Sequence, residues 1–187
     1  MKNKYLDVIL DSDPILRAKN MEVELPLNKE DEELIMNMRK YVTDSIIEEN
    51  QEKYGLKPAV GIAAPQVGVN KRMFVVRLEE VVDNDIIVKE YALVNPKIIS
   101  HSEQMSFLKS GEGCLSVEDI HEGHVYRNAR ITIQAYDAIS KQDVTIRARG
   151  FLAIAMQHEY DHLEGILFYD RIDKDDPFKV LENAKEI

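Results

Sequence analysis

The sequence predicts an α+β fold: antiparallel β-sheets packed around a buried central helix, with a further helix near the N-terminus. Three observations carry this expectation. A stretch with helical period covers residues 28–54, short alternating segments follow it, and a second helical stretch, apolar nearly all round before its histidines, covers residues 150–163. Helices and strands segregated along the chain in this way favour α+β over an alternating parallel architecture. With 187 residues the chain is read as one domain, 1–187, large enough to bury a core without covalent staples.

Each element has a local cause. Asn28 can cap the first helix, with Glu30 and Asp31 in the acidic first turn that the helix dipole favours. Leu34, Ile35, Met38, Val42, Ile46 and Ile47 then recur at helical spacing, and Gly55 supplies the stop. Residues 73–78 form a short β-rich run. Residues 91–94 and 98–99 flank Asn95 and Pro96, which read as an extended or turn dipeptide. The charged run 81–89 reads as a loop or hairpin tip. Ile131, Ile133 and Ala135 alternate with polar residues, as do Val144, Ile146 and Ala148, and residues 140–143 suit the turn between them. Residues 152–156 are apolar nearly all round the last helix, so it should be buried, and Glu164 with Gly165 ends it.

Composition bounds the function. Apolar residues make up 44% and charged residues 31%, the balance of a soluble globular chain. A net charge of −10 weighs against broad binding to nucleic acid, and no direct nucleic-acid readout is expected. Cys114 is the one cysteine, so no intrachain disulfide can form, which suits a reducing compartment. Asp7, Asp11 and Asp13 interrupt any apolar segment near the N-terminus, and no stretch approaches the ~20 apolar residues of a membrane span. The cytoplasm, with no membrane partner, is the expected location.

The string His158-Glu159-Tyr160-Asp161-His162 points most directly to chemistry. On a helix its two histidines lie one turn apart on one face, where both imidazoles can reach one divalent metal ion, with Glu159 beside them as a candidate general base. A catalytic site of this kind takes three protein ligands and leaves one position open. Cys114, between a flexible Gly113 and a strand-like Leu115 in Glu112-Gly113-Cys114-Leu115-Ser116, is a candidate third ligand, and a thiolate suits iron or zinc. Asp161 either orients a ligand or bonds nearby backbone. In Gly61-Ile62-Ala63-Ala64-Pro65-Gln66, small residues allow close backbone approach and Gln66 can donate to a developing oxyanion. A tight turn explains that string equally well. His121 and His124, among Glu118, Asp119 and Glu122, read as a solvated loop rather than a second metal cluster.

Taken in order from Ile9 to Arg171, the three strings resemble the peptide deformylase family, with the last written here as Gln157-His158-Glu159-Tyr160-Asp161-His162. The segment between the first helix and Gly61, together with the 81–89 insertion, resembles the type 2 form of Gram-positive bacteria. Where the family's first motif opens with glycine, this chain has Ala59. The resemblance implies a hydrolase that removes the N-formyl group from the N-terminal methionine of newly synthesised proteins and releases formate. It implies that Cys114, His158 and His162 hold one divalent metal ion, Fe2+ natively, which Zn2+, Ni2+ or Co2+ can replace. Glu159 would then be the base acting on water, with the Gln66 amide and the Leu115 backbone N–H holding the oxyanion. It further implies that an N-formylmethionyl nascent polypeptide adds to a sheet edge near Val60, Gly61 and Gly113. Phe151, Ile154 and Ala155 would line the methionine pocket or simply pack the core. A transient ribosome contact belongs to the same picture, although the mixed tail from Asp175 to Ile187 does not match the basic docking helix of some members. The alternatives are a zincin-type protease using Glu182, twenty residues after His162, and a binding module that recognises formylated termini without turnover.

Overall fold

The computed structural model describes residues 4–83 and 85–187. Among these residues, three α-helices, α1 (Lys29–Ser45), α2 (Glu48–Tyr54) and α3 (Phe151–Leu163), accompany eight strands. The strands are β1 (Gly61–Ala63), β2 (Met73–Val82), β3 (Asp85–His101), β4 (Met105–Phe107), β5 (Arg127–Asn128), β6 (Arg130–Asp137), β7 (Gln142–Arg149) and β8 (Lys185–Glu186). The main sheet has the order β1-β2-β3-β6-β7 and is antiparallel throughout; a smaller sheet has the order β5-β4-β8. Among the described residues, no helix is long and apolar enough to cross a membrane.

Asn28 caps α1 as expected, its side chain accepting from the Asp31 N–H at 2.9 Å. The single helix read over 28–54 is two, however. The last carbonyls of α1 are taken by side chains from α2, Asn50 donating to Asp44 at 3.3 Å and Gln51 to Ser45 at 2.8 Å. With those acceptors satisfied the chain can leave the helix at Ile46 and Ile47. Both isoleucines are exposed rather than on the apolar stripe, and Ile47 is extended with φ −91° and ψ 115°.

Of the two readings of the run 81–89, the hairpin tip holds and the loop does not: β2 and β3 pair from Met73 with Val94 out to Val82 with Asp85. Val81, Val82, Ile86, Ile87 and Val88 give these arms the β-branched character that strands favour, and it outweighs the charges. Asn84, inside this run, lies outside the described residues. β3 continues through Asn95 and Pro96, where the proline lacks a ladder donor and the register shifts. Asn95 adopts φ 51°, and its side chain exchanges two 2.8 Å hydrogen bonds with the Val23 backbone. The turn between β6 and β7 occupies residues 138–141, slightly earlier than 140–143, because the Asp137 carboxylate accepts from both the N–H and the hydroxyl of Ser140.

Alternation along β2 divides the interior into two cores. Phe74, Val76 and Leu78 face Leu152, Ala153, Ala155 and Met156 of α3, whereas Met73 and Val75 face Ile35, Met38 and Val42 of α1. Full burial of side chains such as Phe74 and Met156 is worth ~1.5–3 kcal/mol each. α3 is buried over most of its length, as its composition predicts, and the chain enters it through Gly150 at φ 60° and ψ −141°, a conformation that suits glycine. α3, which carries both histidines, thus packs on one face of the main sheet and α1 on the other.

Candidate active site

α3 sets the rings of His158 and His162 5.1 Å apart. The segment before β5 brings Cys114 to them, its Sγ 3.3 Å from His162 Nε2, and the ligand atoms of the three residues lie within 4.8 Å of one another. Leu115 and Ser116 form a turn closed by the Val117 N–H on the Cys114 carbonyl at 3.2 Å, so Leu115 is not strand-like. A continuous strand would send Cys114 and Leu115 to opposite faces, whereas the turn presents both to the same cleft. One thiol and two imidazoles form a donor set that suits a catalytic iron or zinc ion. The orientation of His158 fits as well: Nδ1 bonds Glu112 Oε2 at 2.8 Å, so Nε2 is the ring nitrogen left to serve a cation once its proton is displaced. Glu182, exposed at the surface, is not part of this group, nor are His121 and His124.

Behind His158 lies a buried ionic network that sequence reasoning missed. Arg127, with a side chain only 1% exposed, bonds both Glu112 oxygens at 2.6 and 2.8 Å and Asp161 at 2.8 Å. Arg171 donates twice more to Asp161. The Asp161 carboxylate therefore bonds arginines and not a histidine ring; it holds Arg127, Arg127 holds Glu112, and Glu112 holds the ring of His158. Burial works to raise the Glu112 pKa, but the hydrogen bonds from Arg127 and His158 overcome it and hold the group at about 2. Glu112 and Asp161 lie inside the motif strings, which was a usable signal. Arg127 carried none, because an arginine among alternating residues looks solvated.

Glu159 lies buried against β1. A Cβ added to Gly61 would fall 2.5 Å from Glu159 Oε1 and 2.8 Å from Cδ, so the close approach that glycine permits is to the carboxylate itself. Oε2 is buried without a hydrogen-bond partner. Burial pushes the Glu159 pKa to about 7, although the positive charges of His158 and Arg127 pull the other way. Burial also opposes the charged form of His158, yet hydrogen bonds to Cys114 and Glu112 hold it at about 10. His162 is lowered well below its usual value by burial, with His158 and Arg127 adding to the effect. A divalent ion on the three ligand atoms competes with these protons for the same lone pairs. Gly61→Ala should displace the Glu159 carboxylate by about 1 Å and cost roughly 10²-fold in turnover, with the fold intact by circular dichroism. An unchanged rate would show that the close approach is incidental.

Gln66, 1% exposed, is fixed at both ends of its amide. Its Oε1 accepts from the Ala63 N–H at 2.8 Å, and Nε2 faces Cys114 Sγ and Ser116 Oγ, both at 3.3 Å. The N-terminal segment ties the two strings together, Ile9 donating to the Gln66 carbonyl and Asp11 to that of Ser116.

These residues meet in one cleft of about 440 Å³, lined by Val60, Gly61, Gln66, Gly113, Cys114, Leu115, Phe151, Ile154, Ala155, His158 and Glu159. His162, 1% exposed, is buried beneath them. Ile46 and Leu108 also line the cleft and were not anticipated, Ile46 because helical spacing puts it on the apolar stripe. Phe151 is 40% exposed, while Ile154 and Ala155 are buried. β1 is the first strand of its sheet, so one of its edges has no partner strand. Among the described residues, the non-glycine positions with positive φ are Asp83, Asn95, Lys141 and Asn183, so the backbone at Ala59 needs no glycine. His121 and His124 are half-buried in aromatic contacts rather than solvated. His121 stacks on Tyr169 at 4.1 Å, and His124 meets Phe107 at 4.3 Å. Large neighbouring rings offset the polarity of that stretch.

The sequence matches the polypeptide deformylase family over residues 5–178. It is 46% identical over 181 residues to a peptide deformylase of Oceanobacillus iheyensis, covering 97% of each chain. Peptide deformylase 2 of Bacillus subtilis is 44% identical over 178 residues, covering 95% of each. A solved structure of the class I type b peptide deformylase from Acinetobacter baumannii, bound to Met-Ala-Ser, is similar with a TM-score of 0.70 at 31% identity. That match covers 91% of this chain and 99% of the other.

Proposed function

This chain belongs to the polypeptide deformylase family, and we propose that the cleft over Cys114, His158, His162 and Glu159 is where it carries out the family's reaction. The chain is a hydrolase that removes the N-formyl group from the N-terminal methionine of newly synthesised proteins and releases formate. The observation that carries the site assignment is the convergence within 4.8 Å of one thiol and two imidazoles, beside a buried carboxylate.

Cys114, His158 and His162 would hold one divalent ion, Fe2+ natively, with Zn2+, Ni2+ or Co2+ able to take its place. When bound, the ion supplies a Lewis acid that makes water a usable nucleophile near pH ~7 and polarises the formyl carbonyl. Glu159 takes the proton of the attacking water and passes it to the leaving nitrogen as the C–N bond breaks. Burial raises the Glu159 pKa, which favours uptake of that proton. The Gln66 amide and the Leu115 backbone N–H donate to the oxyanion. The substrate runs extended along the open edge of β1, bonding backbone near Val60, Gly61 and Gly113. Its methionine side chain packs on Phe151, Ile154 and Ala155. The Acinetobacter baumannii relative binds Met-Ala-Ser, which supports a methionyl peptide as the kind of ligand this cleft takes.

The same reading takes 1–187 as one catalytic domain, since both cores share the main sheet. It also puts the enzyme in the cytoplasm, where a lone thiol stays reduced and where the chain meets nascent polypeptides, with a transient contact to the ribosome that makes them.

The test is formate release from an N-formyl-Met-Ala-Ser peptide by anaerobically purified, iron- or nickel-loaded protein. Cys114→Ala should lose both the bound metal, measured by elemental analysis, and the activity. A protease ligated by Glu182 would keep both in that variant, and the deformylase site would be wrong.

A further inference from the structure

A second cavity, of about 530 Å³, is lined by Arg130, Arg147 and Arg149 with Lys89, His101 and Thr132, and no carboxylate lines it. The pairing of β6 with β7 sets Arg130 directly opposite Arg149 and Arg147 opposite Thr132. Like charges directly opposite in a sheet destabilise it. Lys89 is neutralised by Glu80 at 2.6 Å, but the arginines are not: Arg130 donates to the neutral Gln104 at 3.2 Å. Arg147 and Arg149 form no ion pair among the described residues. Leu152, in the first turn of α3, lines the same cavity, and that helix end has neither a side-chain cap nor an acidic residue. Its partial positive charge adds to that of the arginines. This concentration of positive charge stands on a chain of net charge −10.

We propose that this cavity binds the phosphate oxygens of an RNA backbone. Guanidinium forks match phosphate bidentately, which explains three arginines where lysines would serve a diffuse field. Arg147 and Arg149 are two residues apart on one strand, ~6.6 Å, so the site spans more than one phosphate. β7 is the outer strand of its sheet, open along one side to an extended polymer. Both features favour a phosphodiester chain over a lone anion. The contact reads phosphates and not bases, so it carries no sequence preference. The choice of RNA rests on the deformylase reading, in which the substrate is a nascent chain beside the RNA-rich particle that makes it.

The experiment uses full-length, metal-loaded protein and a fluorescein-labelled single-stranded RNA of about 20 nucleotides, followed by anisotropy between ~50 and ~200 mM salt. The Arg147→Ala/Arg149→Ala double variant should weaken binding at least tenfold. It should also flatten the log–log salt slope by about 1.4, near 0.7 for each phosphate no longer neutralised. A Lys19→Ala/Lys174→Ala variant makes the same change in net charge elsewhere and should bind like wild type. All three proteins should release formate from the formylated tripeptide at the same rate. Absent or salt-independent RNA binding by wild type overturns the proposal, as does equal weakening by the two double variants. Calorimetric binding of inorganic phosphate that needs the two arginines, with RNA no tighter, overturns the choice of RNA. A wild type that fails on the tripeptide sinks the deformylase reading instead, so the two failures are distinguishable.

Discussion

Glu159→Gln should lower formate release by ~10²–10⁴-fold while the metal content and the affinity for formylated peptide stay at wild-type levels. The substitution is nearly isosteric, and the site is tight enough to need that: the carboxylate lies against the Gly61 backbone, where even a methyl group would clash. Glutamine keeps the volume and removes only the capacity to accept a proton. In the proposed reaction Oε2 of Glu159, buried without a hydrogen-bond partner, would take the proton of the attacking water. Steady-state kinetics on the formylated tripeptide, with elemental analysis of the same sample, give the answer. A variant that retains more than about a tenth of wild-type kcat would remove Glu159 from the proton path. The comparison also decides against the binding-module alternative, because recognition alone gives no reason for a base at this position.

The second large effect is expected at a residue that touches neither substrate nor metal. Arg127→Met should destabilise the protein by about 3–5 kcal/mol, because it leaves Glu112 and Asp161 as buried carboxylates without their shared partner. For a chain of this length that corresponds to a fall in Tm of roughly 6–20 °C. Metal affinity should fall by ~10–100-fold in the folded fraction, since Glu112 then loses the partner that positions it against His158. Arg127→Lys is the informative companion. It restores one positive charge but cannot reach three carboxylate oxygens in a planar fork, so it should recover part of the stability and little of the metal affinity. Thermal unfolding of the metal-loaded proteins and competition with a chelator measure the two quantities. A loss below about 1 kcal/mol for the methionine variant would mean that the network is ornamental.

Local features of the chain determined more of this protein than its topology did. The cap at Asn28, the apolar composition of α3, the alternation in β6 and β7 and the one-turn spacing of His158 and His162 all act within a few residues. Local backbone geometry is enough to express them. The motif strings offered Cys114, His158 and His162 as candidate ligands with Glu159 and Gln66 beside them, and the fold brings the first three within 4.8 Å of one another. The tertiary structure decided what depends on distant partners. It ended α1 at Ser45, because Asn50 and Gln51 fold back to take its carbonyls. It chose the hairpin tip over the loop for the 81–89 run, because cross-strand pairing rewards the β-branched residues there. It aimed Gly61 at Glu159, nearly a hundred positions away, and buried Arg127 between carboxylates from two other segments. No window along the sequence contains both members of such pairs. Whether a charge is solvated or buried, or a glycine is a hinge or a necessity, depends on which surface the finished fold presses against it.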